Sequence, residues 1–263
     1  MDLTPRRIMA GLSWRARDMY SRLPHATRVW IDNQRIRLRA RRGRSYFSDH
    51  ERLTRAYEDA WKLLLDRQPA SELGDFLEFG VFYGSSLACM HEALGRAGLD
   101  HVRLFGFDSF EGLPGSASEE DDAVWVPGQF RSSLGMTRRY LRKKGVPEDR
   151  VTLIKGWFSD TLTPETRERH RIRRASVLMV DCDLYSSSVE SLAFAGPLLG
   201  EHAVIFFDDW NSSGLADRNL GERKAFEEFL AANPGFVAEE LPALNYKAKP
   251  EVKVFLLSRR PAT

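Results

Sequence analysis

Short apolar runs alternate with helical segments through most of the chain, and this alternation constrains the fold more than any other feature of the sequence. A turn and then apolar residues at helical spacing follow each of five runs, at 76–79, 102–107, 151–154, 177–180 and 203–207. Such alternation is typical of βαβ units, in which helices connect parallel strands. The sequence therefore predicts five parallel strands.

The last part of the chain has a different pattern. Two apolar runs, at 236–241 and 252–257, are joined by about ten residues, which leaves no room for a helix. Neighbouring strands with so short a link are antiparallel. We therefore predict an α/β fold with a seven-stranded mixed sheet, made of five parallel strands and a C-terminal antiparallel hairpin, with helices on both faces.

The net charge of +2 conceals a strongly basic N-terminal segment. Residues 1–47 contain twelve arginines against three aspartates, so their charge is +9 and the remainder of the chain carries −7. A helix-start signal at Thr4 and Pro5 precedes apolar residues at helical spacing over 8–23. We expect a basic helical extension over 1–70, followed by a second domain over 71–263.

The role of the basic extension has alternative interpretations. A basic amphipathic helix can lie on a membrane surface, but we favour a helix that packs on its own domain or on a second copy of the chain. No nucleic-acid recognition motif accompanies the charge. We therefore expect a homo-oligomer without a nucleic-acid partner, and membrane contact is not the interpretation that we favour.

Composition excludes several classes of protein. With 43% apolar and 29% charged residues, the chain is neither disordered nor fibrous. Cys89 and Cys182 are its only cysteines and lie in apolar runs, which indicates buried, reduced thiols. No stretch approaches the ~20 apolar residues of a membrane span, and no signal-peptide pattern is present. We expect a soluble protein of the cytoplasm.

The carboxyl ends of the predicted strands are where ligand-binding residues are expected in an open α/β sheet. The first end reads Glu78-Phe79-Gly80-Val81-Phe82-Tyr83-Gly84-Ser85-Ser86. It is not a GxGxxG motif, which disfavours a nicotinamide-dependent dehydrogenase. Glu78 is a carboxylate in an apolar strand, a costly position without a partner. We favour a cationic ligand group such as an amine as this partner, over an arginine or a backbone group.

The second and third strand ends suit a nucleoside. Asp108, in the sequence Gly106-Phe107-Asp108-Ser109-Phe110-Glu111-Gly112-Leu113-Pro114, can accept hydrogen bonds from two ribose hydroxyls; an Asp that caps the next turn is the alternative. Trp157 and Phe158 follow the third strand and suit an adenine, with core packing of Trp157 as the alternative. An amine partner and a ribose partner without a pyrophosphate cradle together match S-adenosylmethionine, which we predict as the cofactor.

The fourth and fifth strand ends carry four acids, Asp181, Asp183, Asp208 and Asp209. Asp181 and Asp208 are 27 residues apart, the length of one βαβ crossover. Neighbouring strands would therefore bring them within about one strand spacing, ~4.8 Å. A hard divalent cation, Mg²⁺ or Ca²⁺, relieves the repulsion between such carboxylates. The alternative is a set of helix N-caps, which accounts for one Asp more readily than for two acid pairs.

Taken together, these motifs resemble those of the macrocin O-methyltransferase family. The shared motifs are Leu77-Glu78-Phe79-Gly80, Asp108-Ser109-Phe110-Glu111-Gly112-Leu113-Pro114, Gly128-Gln129-Phe130, Asp181-Cys182-Asp183-Leu184-Tyr185 and Asp208-Asp209. The resemblance runs over about 76–257 and does not cover the basic extension. It implies a Rossmann-like class I methyltransferase fold and metal-dependent transfer of a methyl group from S-adenosylmethionine to hydroxyls of sugars and related groups on natural products.

The resemblance also implies residue roles. Asp181, Asp208 and Asp209 would hold Mg²⁺, and Asp183 would be the general base, with Asp181 beside it at the catalytic centre. The candidate cofactor contacts are Glu78, Gly80, Tyr83, Ser86, Asp108, Ser109, Trp157, Phe158 and Asp181. One departure from the family pattern, Ser187-Ser188 in place of a Ser-Thr pair, keeps a hydroxyl.

We therefore predict a Mg²⁺-dependent O-methyltransferase that acts on a sugar diol or a related hydroxylated small molecule. A catechol or another phenol is the alternative acceptor. An alternative of another class is a non-catalytic scaffold whose basic extension binds a membrane or a partner. The segment 115–135 is long, acidic and glycine-bearing, and loops of this length are usually functional or disordered. We interpret it as a lid over the acceptor site.

Overall fold

The structure, a computed structural model, describes residues 49–247 and 251–260, together with isolated residues between 19 and 38. Most of the arginine-rich segment 1–47, including most of the helix predicted after Thr4, therefore lies outside the described residues.

A seven-stranded mixed sheet forms the centre of the described part of the chain. Its strand order is β3-β2-β1-β4-β5-β7-β6. Strands β1 to β5 are parallel, and β7 runs antiparallel to both β5 and β6. The strands are β1 (Asp75–Phe79), β2 (Leu104–Asp108), β3 (Val151–Lys155), β4 (Ala175–Val180), β5 (Leu199–Phe207), β6 (Phe236–Glu240) and β7 (Lys253–Arg259). The predicted sheet is confirmed, and the structure adds that β7 lies between β5 and β6.

Helices cover both faces of this sheet, as predicted. The described helices are α1 (His50–Leu65), α2 (Ser85–Ala97), α3 (Leu134–Lys143), α4 (Phe158–Thr161), α5 (Pro164–Arg169), α6 (Tyr185–Ala195) and α7 (Gly221–Ala232). Helices α1, α2 and α3 contribute to the apolar core on one face, and α6 and α7 contribute to the core on the other. None of the helices that the structure describes is long and apolar enough to cross a membrane.

Helix α1 belongs to the core of the sheet domain, although the sequence analysis placed it in the basic extension. Leu53, Tyr57, Trp61 and Leu64 recur at helical spacing, and all are buried against α2 and the sheet. The hydroxyl of Tyr57 lies 2.5 Å from that of Ser86 in α2. A division at residue 70 therefore does not separate two hydrophobic cores, because no local pattern shows which element an amphipathic helix covers.

The segment interpreted as a lid packs against the starts of α6 and α7. Two short turns of 3₁₀ helix, Gly115–Ser118 and Asp121–Ala123, lie within it. Reciprocal backbone hydrogen bonds of Leu113 with Gln129 and Gly128 close its base. A small core joins it to the following elements, with Ala117, Trp125, Leu184 and Leu215 buried together. The segment is thus a packed element beside the cavity described below.

Asp121 connects this segment to two helices at once. Its carboxylate accepts hydrogen bonds from the backbone N–H of Tyr185, at 2.8 Å, and of Gly221, at 2.9 Å, the first residues of α6 and α7. Such a side chain satisfies N–H groups that have no partner within their own helix. Asp121 and its neighbour Asp122 both have positive φ, +52° and +55°, so substitutions at the two positions carry similar backbone strain.

Asp121→Ala is expected to lower the free energy of unfolding by about 1–4 kcal/mol, because it removes two helix-capping contacts. Asp122→Ala is the matched control. Among the described residues, the exposed carboxylate of Asp122 forms an ion pair with Arg218 alone, so its loss is expected to lower the free energy of unfolding by less than about 1 kcal/mol. Urea unfolding monitored by circular dichroism measures both. Equal losses for the two variants would contradict the capping role.

Candidate active site

A cavity of about 600 Å³ opens at the carboxyl ends of the parallel strands. The predicted site residues that line it are Glu78, Gly80, Ser86, Asp108, Ser109, Trp157, Phe158, Asp181, Asp183, Asp208 and Asp209. Tyr83 is the exception. It is 4% exposed and belongs to the core, because the chain turns back after β1 through a hydrogen bond from Gly84 N–H to Val81 O. The sequence motif gave no indication of that reversal.

The alternation of side chains along the strands brings the acids of the cavity to one face of the sheet. Phe76 of β1 packs in the core beneath α1 and α2, and Glu78, two residues further on, faces the same side. Asp108, Asp181 and Asp208 face this side as well. Each lies two positions after a residue of β2, β4 or β5 that faces the same core as Phe76. Four carboxylates from four neighbouring strands thus share one cavity.

Gly80 allows the ends of β1 and β4 to approach each other. Its φ is +86°, and a Cβ placed there would lie 1.8 Å from the carbonyl oxygen of Asp181. The backbone N–H of Asp181 in turn donates to Phe79 O at 2.9 Å. No residue with a side chain fits this position without moving Asp181, so the glycine positions the acid cluster.

Glu78 is a buried carboxylate with an unsatisfied oxygen. It is 1% exposed, and its Oε2 has no hydrogen-bond partner. Burial raises the pKa of Glu78 well above its usual value, although a hydrogen bond with Ser86 opposes the shift. The ion pairs found among the described residues include no arginine or lysine bound to Glu78. A cationic ligand group would supply the missing partner.

Asp108 makes the turn-capping contacts that the sequence analysis considered as the alternative to a ribose contact. Its Oδ2 accepts from the backbone N–H groups of Val81, at 2.8 Å, and Phe82, at 2.7 Å, and its Oδ1 accepts from Phe110 N–H at 2.5 Å. Burial raises the pKa of Asp108, and these three amides oppose the shift. A carboxylate has about four lone-pair sites, so one is left for a ligand. One ribose hydroxyl, rather than two, can be accepted without displacing an amide.

Asp181, Asp208 and Asp209 form a cluster in which one oxygen from each carboxylate lies within 4.8 Å of the others. Strand pairing explains the cluster, because Val180 is in register with Phe207 and the acids follow directly. Burial, followed by the charges of neighbouring acids, raises the pKa of Asp181 well above its usual value and that of Asp209 to about 6. These carboxylates therefore lie where a positive charge would stabilise their ionised forms.

Asp183 lies beside this cluster on a tight turn. Its φ is +66°, and the hydrogen bond from Leu184 N–H to Cys182 O, at 2.7 Å, closes the turn around it. Its carboxyl group lies close to that of Asp209. Burial and then the charge of Asp209 raise the pKa of Asp183 well above its usual value. In an extended strand, the side chains of Asp181 and Asp183 would point to the same face. The turn lets them point in different directions.

Three residues of the site were missed by the sequence analysis. The hydroxyl of Tyr246 donates a hydrogen bond to Asp208 Oδ1, and Lys247 Nζ lies 2.5 Å from Asp208 Oδ2. Glu222, fully buried at the start of α7, accepts from Asp209 N–H at 3.1 Å. Polar residues in the β6–β7 connection were the only available signal for the first two. Their partner became identifiable only once β7 was placed beside β5.

The sequence of residues 64–232 matches the profile of the macrocin O-methyltransferase (TylF) family. This match covers more than half of the 263-residue chain. The chain belongs to the macrocin O-methyltransferase family. The resemblance inferred from the strand-end motifs is thereby confirmed.

The curated relatives that the chain matches are named as O-methyltransferases. The chain is 31% identical over 150 residues to the 8-demethyl-8-(2,3-dimethoxy-alpha-L-rhamnosyl)-tetracenomycin-C 4'-O-methyltransferase of Streptomyces olivaceus, covering 55% of the chain and 56% of the relative. It is 27% identical over 149 residues to the mycinamicin III 3''-O-methyltransferase of Micromonospora griseorubida, covering 52% and 55%. The chain thus spans about half the length of the curated relatives it matches.

Solved structures confirm the predicted fold. The O-methyltransferase NovP superimposes with a TM-score of 0.61 at 21% identity, over 79% of each chain. The calicheamicin methyltransferase CalS11 also gives 0.61, at 19% identity, over 94% of this chain and 91% of that one. The fold is therefore that of Rossmann-like class I methyltransferases.

Proposed function

We propose that this protein is a Mg²⁺-dependent O-methyltransferase that uses S-adenosylmethionine to methylate a hydroxyl of a sugar or related diol on a natural product. The observation that carries the proposal is the cavity that holds both the unsatisfied Glu78 and the carboxylates of Asp181, Asp208 and Asp209. Membership of the macrocin O-methyltransferase family supports it. So does the relative named for methylation of a rhamnosyl-tetracenomycin.

The acid cluster fits a divalent metal ion. Its three carboxylates offer only oxygen atoms, which Mg²⁺ prefers. Among the ion pairs of the described residues, Lys247 supplies the positive charge at the cluster, and Asp183 adds a fourth carboxyl group. The cluster therefore has more carboxyl groups than cations. When bound, Mg²⁺ would lower the pKa of an acceptor hydroxyl. We assign Asp181, Asp208 and Asp209 as its ligands.

The other half of the cavity suits S-adenosylmethionine, which supplies the methyl group when bound. The free Oε2 of Glu78 suits its ammonium group, and the remaining lone pair of Asp108 suits a ribose hydroxyl. Trp157, 39% exposed, and Phe158 line the cavity beyond β3 and offer ring faces to the adenine. These assignments use residues from three consecutive strand ends.

We assign Asp183 to proton removal from the acceptor. It is 8% exposed and lines the cavity beside the cluster, and burial strengthens its affinity for a proton. The acceptor hydroxyl would give its proton to a carboxylate oxygen of Asp183. Its oxygen would gain the methyl group as the carbon–sulfur bond of the bound sulfonium breaks and a neutral thioether leaves. Most of the rate enhancement then comes from holding two reactants in one cavity.

Glu78→Gln tests the cofactor site. Calorimetric titration with S-adenosylmethionine is expected to show at least about tenfold weaker binding, because a contact between charged groups is lost. Thermal stability without ligand should be unchanged or higher, since a buried carboxyl with an unsatisfied oxygen is removed. Glu190 is an exposed carboxylate that lines the same cavity, so Glu190→Gln is the matched control and should bind the cofactor like the wild type.

Two outcomes would contradict parts of this proposal. A wild-type protein that binds no S-adenosylmethionine, with or without Mg²⁺, would favour the scaffold interpretation. Equal weakening by the Glu78 and Glu190 variants would mean that the cavity responds to overall charge and that Glu78 makes no specific contact. Mass spectrometry with cofactor, Mg²⁺ and a panel of sugar diols and catechols then distinguishes the two classes of acceptor.

A further inference from the structure

A lysine ammonium lies inside the acid cluster, and the proposed reaction does not use it. Lys247 Nζ is 2.5 Å from Asp208 Oδ2 and 3.3 Å from the carbonyl oxygen of Asp208. Its side chain is only 10% exposed. An ammonium group is strongly hydrated in water, so burying it here requires the compensation that Asp208 provides.

The acid cluster contains more carboxyl groups than positively charged groups among the described residues. Asp181, Asp183, Asp208 and Asp209 line the same part of the cavity. Within the described ranges, the ion pair of Lys247 with Asp208 is the one ion pair that any of the four makes. Like charges at about 4 Å repel by roughly 4 kcal/mol at a protein-like dielectric. Without a metal ion, Lys247 is therefore the group that offsets this repulsion.

In the same position, the positive charge of Lys247 opposes the binding of a metal ion. Both oxygens of Asp208 already carry a donor, from Tyr246 and Lys247. Each oxygen retains a second lone pair, so Asp208 can serve a metal ion while Lys247 stays. A divalent cation there experiences the repulsion of the ammonium group, and displacing Lys247 instead would cost its ion pair. Either route weakens metal binding.

We propose that Lys247 is the built-in counter-ion of the acid cluster: it stabilises the metal-free site and lowers the affinity of that site for a divalent cation. This inference rests on the proposed metal site. The inference predicts that the bound metal ion exchanges readily. The affinity of the site for the metal ion would then depend on Lys247, which is not itself a ligand.

Lys247→Met tests the inference, because Met keeps an unbranched apolar side chain without the charge. Mn²⁺ titration of the cofactor-free protein, followed by electron paramagnetic resonance, is expected to show at least about tenfold tighter binding than in the wild type. In EDTA the variant should melt at a lower temperature than the wild type, and Mn²⁺ should raise its melting temperature by more.

Three further variants define the comparison. Lys247→Gln, also neutral, should behave like Lys247→Met, whereas Lys247→Arg keeps the charge and should stay near the wild-type affinity. Lys62→Met removes an ammonium that pairs with Glu58 and Asp59 on the exposed side of α1, and it should leave Mn²⁺ binding unchanged.

The outcomes separate this inference from the proposed function. A wild-type protein that binds no Mn²⁺ would overturn the metal site and the inference with it. Wild-type binding with equal or weaker binding by both neutral Lys247 variants would overturn the inference alone. Neutral variants that fold only with Mn²⁺ would support it. Neutral variants that remain unfolded even with saturating Mn²⁺ would overturn it, because the metal ion should replace the missing charge.

Discussion

Asp208→Asn is expected to abolish methyl transfer, reducing it to below about 10⁻³ of the wild-type rate. The substitution keeps the size of the side chain but removes the charge of a carboxylate that lies within 4.8 Å of Asp181 and Asp209. Binding of S-adenosylmethionine should be largely intact, because Glu78 and Asp108 hold the other half of the cavity. Calorimetry and a methyl-transfer assay at saturating Mg²⁺ measure the two properties separately.

Asp217→Asn is the control for this prediction. Asp217 is an exposed acid in the same connection between β5 and α7, and its replacement should change neither rate nor metal binding. Full wild-type activity in EDTA, with no metal recoverable from the protein, would contradict the assignment of a metal site. Metal analysis of the purified enzyme alongside the assay resolves this.

Asp183→Asn is expected to lower turnover by roughly 10²–10⁴-fold, the usual contribution of a positioned base, while the affinities for Mg²⁺ and cofactor are kept. Asn is a suitable substitute because it tolerates positive φ about as well as Asp does, and Asp183 has φ +66°. The loss should shrink as pH rises, because solvent hydroxide can then remove a proton from an acceptor hydroxyl acidified by Mg²⁺. Turnover measured from neutral to alkaline pH checks this.

Metal titration decides between the two roles that Asp183 could have. If Asp183→Asn loses Mn²⁺ affinity as severely as Asp208→Asn does, Asp183 is a ligand and the base lies elsewhere. A loss of turnover that is constant across the pH range would also contradict the base assignment. Asp183 lies on its own turn but close to Asp209, so both metal affinity and turnover need to be measured.

Local patterns in the sequence determined the sheet and the chemistry at its edge. Alternating apolar and helical periodicity was enough to predict five parallel strands and a terminal hairpin, because each pattern depends on residues close together in the chain. Acids such as Asp181 and Asp208 were identifiable because parallel strands end at one edge, so residues that follow each strand share a site. Glu78 was recognisable as a carboxylate in an otherwise apolar strand.

Only the tertiary structure decided which groups those acids contact. Lys247 reaches Asp208 because β7 pairs with β5, placing the β6–β7 connection beside the cluster, and Asp121 caps two helices that begin 64 and 100 residues later. Tyr83 turns into the core, away from the cavity. Periodicity fixes the face on which a side chain lies, whereas its partners depend on strand order and loop paths. Those are set by packing between distant segments, which no local pattern encodes.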